Sequence, residues 1–414
     1  MAARAGRRRA GALVLAALVA STAVLSDGCG QRGTLAGDAS PPVPAFDKRT
    51  LDPGFRAEGV GVFDVDHDGH LDIVTDQYWY AGPGFTPHEI RTPQTYDAAT
   101  DYSLCFAVFG DDIDHDGWTD AVVLPRPYDP ALSTPPEPVL WYRNPAGADV
   151  HWTPHVIAAS AAIETGVYVD LFGDGRRELL MGQDPSLVLS WYAPANDPTL
   201  PWPAHPISAP GFAGAGHYVH GLGAGDVDGD GRTDVVTGYG WFSQTSDPMS
   251  WTFHPAQLGP DACSEMPVLD VDGDGLADVV CGRPHDYGLH WLRQNPLASP
   301  TAERTFDDRL VDDTISELHA LAVADLDGDG VPEVVTGKRW WARGPTGDPG
   351  AGDPPVLTVY SIARDGAGGV AFARHDIDSA SGVGTQFPVV DVDGDGKLDV
   401  VIANKNGLFF FRQR

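Results

Sequence analysis

Asp64-Val65-Asp66-His67-Asp68-Gly69-His70-Leu71-Asp72 decides the fold of this chain, because six more segments repeat its pattern. The others run from Asp112 to Asp120, Asp170 to Glu178, Asp226 to Asp234, Asp270 to Asp278, Asp325 to Glu333 and Asp391 to Asp399. Carboxylates stand at loop positions 1, 3, 5 and 9, with Gly at 6 where the chain must turn sharply. Four hard oxygens around one point, with the backbone carbonyl of position 7, are what Ca²⁺ demands.

Six copies keep the full set, so up to six Ca²⁺ are predicted. Their ligands are Asp64, Asp66, Asp68 and Asp72 with the His70 carbonyl, then Asp112, Asp114, Asp116 and Asp120 with that of Trp118. Next come Asp226, Asp228, Asp230 and Asp234 with Arg232, and Asp270, Asp272, Asp274 and Asp278 with Leu276. The last two are Asp325, Asp327, Asp329 and Glu333 with Val331, and Asp391, Asp393, Asp395 and Asp399 with Lys397. The third copy has Phe172 at position 3 and Glu178 at position 9, and is predicted to hold no metal.

An EF-hand is excluded at position 12, where it needs a bidentate Glu. The full copies carry Thr75, Val123, Thr237, Cys281, Thr336 and Ile402 there. Their flanks are apolar and β-branched, so each loop joins two strands of a hairpin. The copies begin 48, 58, 56, 44, 55 and 66 residues apart, room for one four-stranded sheet per repeat.

That is the signature of a β-propeller. An aromatic third strand is read in every unit: Tyr78-Trp79-Tyr80, Leu140-Trp141-Tyr142, Ser190-Trp191-Tyr192, Gly240-Trp241-Phe242, His290-Trp291-Leu292, Arg339-Trp340-Trp341 and Phe409-Phe410-Phe411. A fourth strand follows in six units, whereas the seventh stops at Arg414. Phe46 to Leu51 reads like Phe306 to Val311, which closes unit five, so an amino-terminal strand is predicted to complete the last blade and leave no open edge. The expected fold is all-β: residues 45–414 as one seven-bladed propeller of four-stranded blades with calcium-binding hairpin loops.

These units resemble the FG-GAP or VCBS repeats of bacterial surface proteins and of the integrin alpha-chain propeller, and Phe109-Gly110 and Phe172-Gly173 keep the Phe-Gly pair. The resemblance implies the propeller and its calcium loops; it does not imply an activity, because one fold hosts many functions. The tryptophan-rich third strands and His217-Tyr-Val-His220-Gly-Leu-Gly-Ala-Gly-Asp226 are more loosely similar to propeller domains of sugar dehydratases and polysaccharide lyases.

A formal charge of −31 argues against nucleic acid and anionic membrane surfaces as partners. Arg4, Arg7, Arg8 and Arg9 precede an apolar run from Ala10 to Leu25, so residues 1–28 read as an export signal. Cys29 is a candidate lipid anchor and residues 29–44 a tether; simple secretion stands beside lipidation, and the expected location is the periplasm or the cell surface. Cys263 and Cys281 flank the fifth loop and are read as small buried strand residues, with a disulfide as the alternative; Cys105 is too far around the ring to join them.

If the loops share one face, the starts of the inner strands reach the other face near the axis. Six residues before each loop stand Glu58, Phe106, Glu164, His220, Ser264, His319 and Thr385, with His217 nearby. The second connection of each blade returns to that face with Gln77, Arg126, Gln183, Tyr239, Arg283, Lys338 and Lys405. Four cations at a repeated position are expected to form a funnel for carboxylate or sulfate groups.

Two functions compete, with a purely structural envelope protein as a third reading behind them. One is a surface binding module for glycan or extracellular protein. The other is a lyase or dehydratase in which His220 or His319 takes a proton and Arg126 or Arg283 stabilises the charge that develops. No nucleophile elbow, phosphate loop or dinucleotide fingerprint supports other chemistry. The Trp row is expected to pack between blades rather than to stack sugar.

Overall fold

A computed structural model describes residues 44–130, 135–259, 263–366 and 369–414. The export signal and the tether up to residue 43, Cys29 included, lie outside the described residues.

Seven antiparallel four-stranded sheets form the chain's blades. In each, position 9 of the acidic loop pairs with the residue just before the loop, as in Phe63 with Asp72, Gly225 with Asp234 and Val390 with Asp399. Eight residues therefore turn every hairpin, and the turn is specified locally. Gly at position 6 has φ between +84° and +93° in all seven copies, a region that other residues enter only with strain. Its amide donates to the position 1 carboxylate, from 2.8 Å at Gly396 to 3.2 Å at Gly69.

The last blade is completed from the amino terminus, as its sequence likeness to unit five predicts. Phe46–Asp52 lies beside Gly407–Gln413, with Lys48 opposite Phe411 and Thr50 opposite Phe409. At the seam between blades seven and one the Thr385 amide donates to Glu58 O at 2.8 Å. A Cβ on Gly384 would stand 1.9 Å from that same carbonyl, so only glycine fits there.

Burial follows the strand pattern. Second strands such as Asp120–Leu124 and Asp278–Gly282 are covered on both faces and read as continuous apolar runs. Trp79, Trp141, Trp191, Trp241 and Trp291 are buried, and the first four stack on His88, His155, His205 and His254 of the neighbouring outer strand at ring distances of 3.8–4.5 Å. Such pairs contribute about 0.5–1.5 kcal/mol beyond area burial. The row is packing.

Unit six departs from the reading of its sequence. Its third strand is Leu357–Arg364, paired with Glu333–Gly337, and Arg339-Trp340-Trp341 instead sits in the connection before it. The aromatic triplet mimicked a strand, whereas Leu357–Ile362, aliphatic or aromatic but for Thr358 and Ser361 and buried throughout, supplies the true one.

Neighbouring blades are clamped by a repeated amide. Asn144, Gln244, Gln294 and Gln413, each at or just after the end of a third strand, donate to the position 2 carbonyls of the preceding loop: Val65, Leu171, Val227 and Leu326, at 2.7–3.1 Å.

Cys263 and Cys281 form a disulfide across loop five, with Cα atoms 5.2 Å apart, where unpaired thiols had been the favoured reading. Pairing is a matter of strand register that spacing does not reveal. Cys105 is free and buried, as predicted. Closing a loop of 18 residues stabilises a fold by about 3 kcal/mol. The double variant Cys263→Ser, Cys281→Ser is expected to lose that amount in urea unfolding with calcium present; an unchanged midpoint would mean that the hairpin already restrains this segment in the unfolded chain.

Candidate functional site

The acidic loops gather hard carboxylate oxygens. In loops one, two, four and five, three carboxylates each offer an oxygen within 4.8 Å of the others, among them Asp64, Asp66 and Asp72, and Asp270, Asp272 and Asp278. The Asp64 Oδ1 atom is buried without a hydrogen-bond partner. Such a donor set fits Ca²⁺.

Position 9 serves the hairpin as well. Asp72 accepts from the Val65 amide at 2.7 Å and from the Gly82 amide at 2.8 Å, and Asp399 accepts likewise from Val392 and Gln413. Burial, then the neighbouring carboxylates, push Asp72, Asp278 and Asp399 up to about 6 and Asp120, Asp234 and Glu333 up to about 7, a crowding that a bound cation would relieve.

Loop three keeps the turn but not the cage. Asp170 still accepts from Gly175, and Glu178 from Leu171, whereas Phe172 turns edge-on to Trp191 with ring centroids 5.0 Å apart. A cavity of about 830 Å³ opens there, lined by Tyr168, Phe172, Trp191, Arg176, Arg177 and Arg232 among others.

Across the ring, the strand starts do converge. Arg339 is buried at the centre, donating from Nε and Nη2 to Glu58 Oε1 at 3.1 and 2.7 Å and from Nη1 to Glu164 Oε1. Its guanidinium lies 5.1 Å from the Phe106 ring and 5.6 Å from that of Tyr102. Burial alone would raise Glu164, but the Arg339 guanidinium, the strongest opposing influence, leaves it well below the usual carboxylate range. His220, His285 and His319 form a triangle of rings with centroids 5.0–5.2 Å apart and planes nearly perpendicular. His220 Nε2 lies 3.2 Å and His319 Nε2 3.9 Å from Glu164 oxygens. Neither nitrogen makes a hydrogen bond. Burial pushes His319 well down and His285 down to about 3.

The predicted set is thus split. Glu58, Glu164, His220 and His319 meet at the axis, and Lys405 lies over the Tyr102 ring at 4.5 Å, its pKa lowered by burial. His217 pairs with Asp184 at 2.7 Å, and Arg126 reaches Glu137 at 3.9 Å and the Pro135 carbonyl at 3.4 Å.

The four-cation funnel does not form. Lys338 is wholly buried, bonded to Glu317, to the Gly350 carbonyl and to Ser316 at 3.3 Å. Arg283 turns outward to His290 at 3.1 Å and Asp308 at 3.8 Å. Repeat-equivalent positions share a backbone location, but each side chain follows its nearest acid. His285 and Arg339, which the repeat alignment placed only beside the candidates, are the central groups; the tight clustering of acids at repeated strand starts was the signal that a cation had to reach them.

The FG-GAP-like repeat family matches residues 170–237 and 270–336, each stretch running from one acidic loop to the second strand of the next blade. The chain carries FG-GAP-like repeats. It is similar to the extracellular domain of BT3049 from B. thetaiotaomicron at 11% identity and a TM-score of 0.46, covering 90% of this chain and 42% of that one. The extracellular domain of BT4673 from the same organism is 13% identical, with a TM-score of 0.42 and coverage of 89% and 40%. The V. cholerae biofilm matrix protein Bap1 is 16% identical, with a TM-score of 0.34 and coverage of 80% and 44%. The FG-GAP-repeat chain spans less than half the length of these solved structures. No curated protein matches it.

Proposed function

We propose that this FG-GAP-repeat propeller is exported, holds Ca²⁺ in up to six loops, and acts at the cell surface as a binding module for a glycan or an extracellular protein, using the face opposite the loops. The observation that carries this reading is the axial cluster. Glu58, Glu164, Arg339 and three histidines gather where a closed ring needs no charge, and two buried imidazole nitrogens are left without partners. Buried polar groups of that kind are retained for binding more readily than for packing. Export is supported by the basic and apolar leader and by the Cys263–Cys281 disulfide, which belongs in an oxidising compartment.

The test is a glycan-array screen of the calcium-loaded mature chain, with each hit followed by absorbance of the unsaturated uronate that a lyase would release. Binding without new absorbance supports the module; no hit among glycans or extracellular protein panels overturns it. The lyase or dehydratase reading rests on the same cluster, since His220 and His319 stand beside Glu164 and the Arg339 guanidinium, where a proton taken from carbon and the charge that develops would both find partners. Loss of turnover with binding retained in His220→Ala or His319→Ala would decide for the enzyme.

A further inference from the structure

We propose that His220, His285 and His319 form a binding site for one divalent transition-metal ion at the axial end of the ring. Three successive blades contribute one ring each: His220 and His319 precede the inner strands of blades four and six, and His285 follows the second strand of blade five. Each offers a ring nitrogen, and the three nitrogens lie within 4.8 Å of one another. Nothing in the chain's repeat requires this, because the equivalent positions in the other blades are Glu58, Phe106, Glu164, Ser264 and Thr385.

The orientation of the rings points the same way. His319 Nδ1 lies 3.1 Å from the Glu317 carbonyl, and His285 Nδ1 lies 3.3 Å from Asp348 Oδ2. An acceptor at Nδ1 takes the ring proton and leaves the Nε2 lone pair free, which is how metal-ligating histidines are held by their outer partners. The His319 ring is 1% exposed, and its Nε2 has no hydrogen-bond partner. The His220 Nε2 is equally orphaned despite standing 3.2 Å from Glu164. A buried polar atom without a partner is costly, and one cation within reach of the three rings would satisfy both.

The donor set selects the ion. Imidazole nitrogens suit zinc, copper, iron or nickel, whereas Ca²⁺ and Mg²⁺ take oxygen, so this site and the acidic loops would sort different metals from one solution. Three histidines leave a fourth position open, as catalytic zinc sites do. His285, the most exposed of the three at 22%, marks the side from which that position is reached. A metal there stands whether or not the propeller binds a glycan.

Cobalt(II) is the probe. The untagged mature chain, kept in excess Ca²⁺ so that the loops are filled, is titrated with Co²⁺ and read by visible absorption, which is intense for nitrogen-rich sites of low coordination and weak for six oxygen ligands. One saturable equivalent per chain is expected, displaced by Zn²⁺ and not by further Ca²⁺. His285→Ala, on the open side of the cluster, should abolish the band while calcium stoichiometry and the unfolding midpoint in Ca²⁺ stay unchanged. Asp348→Ala, which removes the outer acceptor of His285, should weaken Co²⁺ binding by about 10–100-fold. A folded wild-type chain with no intense band, or a band that survives His285→Ala, overturns the site.

Discussion

Replacing Arg339 by Met is expected to lower the unfolding free energy by roughly 3–5 kcal/mol, the largest effect of any single substitution at the axial face. The guanidinium is 1% exposed and is shared between Glu58 and Glu164, which arrive from blades one and three. Without it two carboxylates remain buried: Glu58 keeps the Ser103 amide at 3.0 Å and the Ser103 hydroxyl at 3.3 Å, and Glu164 keeps the imidazoles of His220 and His319 at 3.2 and 3.9 Å, with no guanidinium to balance either charge. Met fills much of the volume against Phe106 and Tyr102, so the loss reports charge rather than a cavity.

Urea unfolding in saturating Ca²⁺ measures it, provided that the slope with denaturant is unchanged. Adding Glu58→Gln and Glu164→Gln to Arg339→Met should recover more than half of the loss, since neutral amides need no counter-charge. A single-variant loss under about 1 kcal/mol would mean that water or proton uptake already compensates the acids. The pH dependence has a definite sign. Glu164 titrates below its unfolded value because of Arg339, so its contribution is present above the ordinary carboxylate range and is lost as pH falls through the folded value. Arg339→Met should therefore blunt the acid limb of the stability curve.

How far the sequence could be read depends on what each feature needs. Seven equal loops at blade spacing dictate the ring, because a hairpin turn with Gly at position 6 is a local object and seven hairpins have few ways to bury their sheets. Closure by Phe46–Asp52 was legible for the same reason, a likeness between two outer strands. Blade six was misread because Trp340 and Trp341 have strand composition, while the choice between them and Leu357–Arg364 is made by which segment finds the edge of Glu333–Gly337. The axial site was legible as positions and not as partners. Glu58, Glu164, His220 and His319 are equivalent by repeat, but which cation answers them is settled by the path of the connection carrying Arg339, and that path is not periodic. The amide clamps at Asn144, Gln244, Gln294 and Gln413 do repeat, and were missed because a lone amide at a strand end has no chemistry of its own to mark it.

Removing calcium should destabilise the propeller more than any single substitution, and unevenly around the ring. A site filled at 100 times its dissociation constant contributes about 2.7 kcal/mol, and six sites are in question. Three of the six loops have a built-in counter-charge. Arg143, Arg293 and Arg412, all two residues beyond the central aromatic of a third strand, reach back to the outward oxygens of positions 3 and 5: Asp114 and Asp116 at 2.6 and 3.1 Å, Asp272 and Asp274 at 2.5 and 2.7 Å, and Asp393 with Asp395, the latter at 2.8 Å. In every case the oxygen used is Oδ2, which leaves Oδ1 for the turn and the ion.

Blades one, four and six have Ala81, Ser243 and Ser361 at the equivalent place, and among the described residues Arg232, from within loop four, is the cation that pairs with a loop carboxylate there. On chelation, loops two, five and seven lose the ion but keep a cation across the crowded pair, whereas loops one and six keep none from this position. Hydrogen exchange at graded free Ca²⁺ should therefore show residues 64–72 and 325–333 opening first, 226–234 next, and the arginine-backed loops last. Asp226→Asn should lower the calcium stoichiometry by one and Asp170→Asn, in the loop where Phe172 breaks the cage, should leave it unchanged. Simultaneous opening of all six loops would mean that the ring responds as one cooperative body and that the arginines act only on the exposed rim, where ion pairs contribute little.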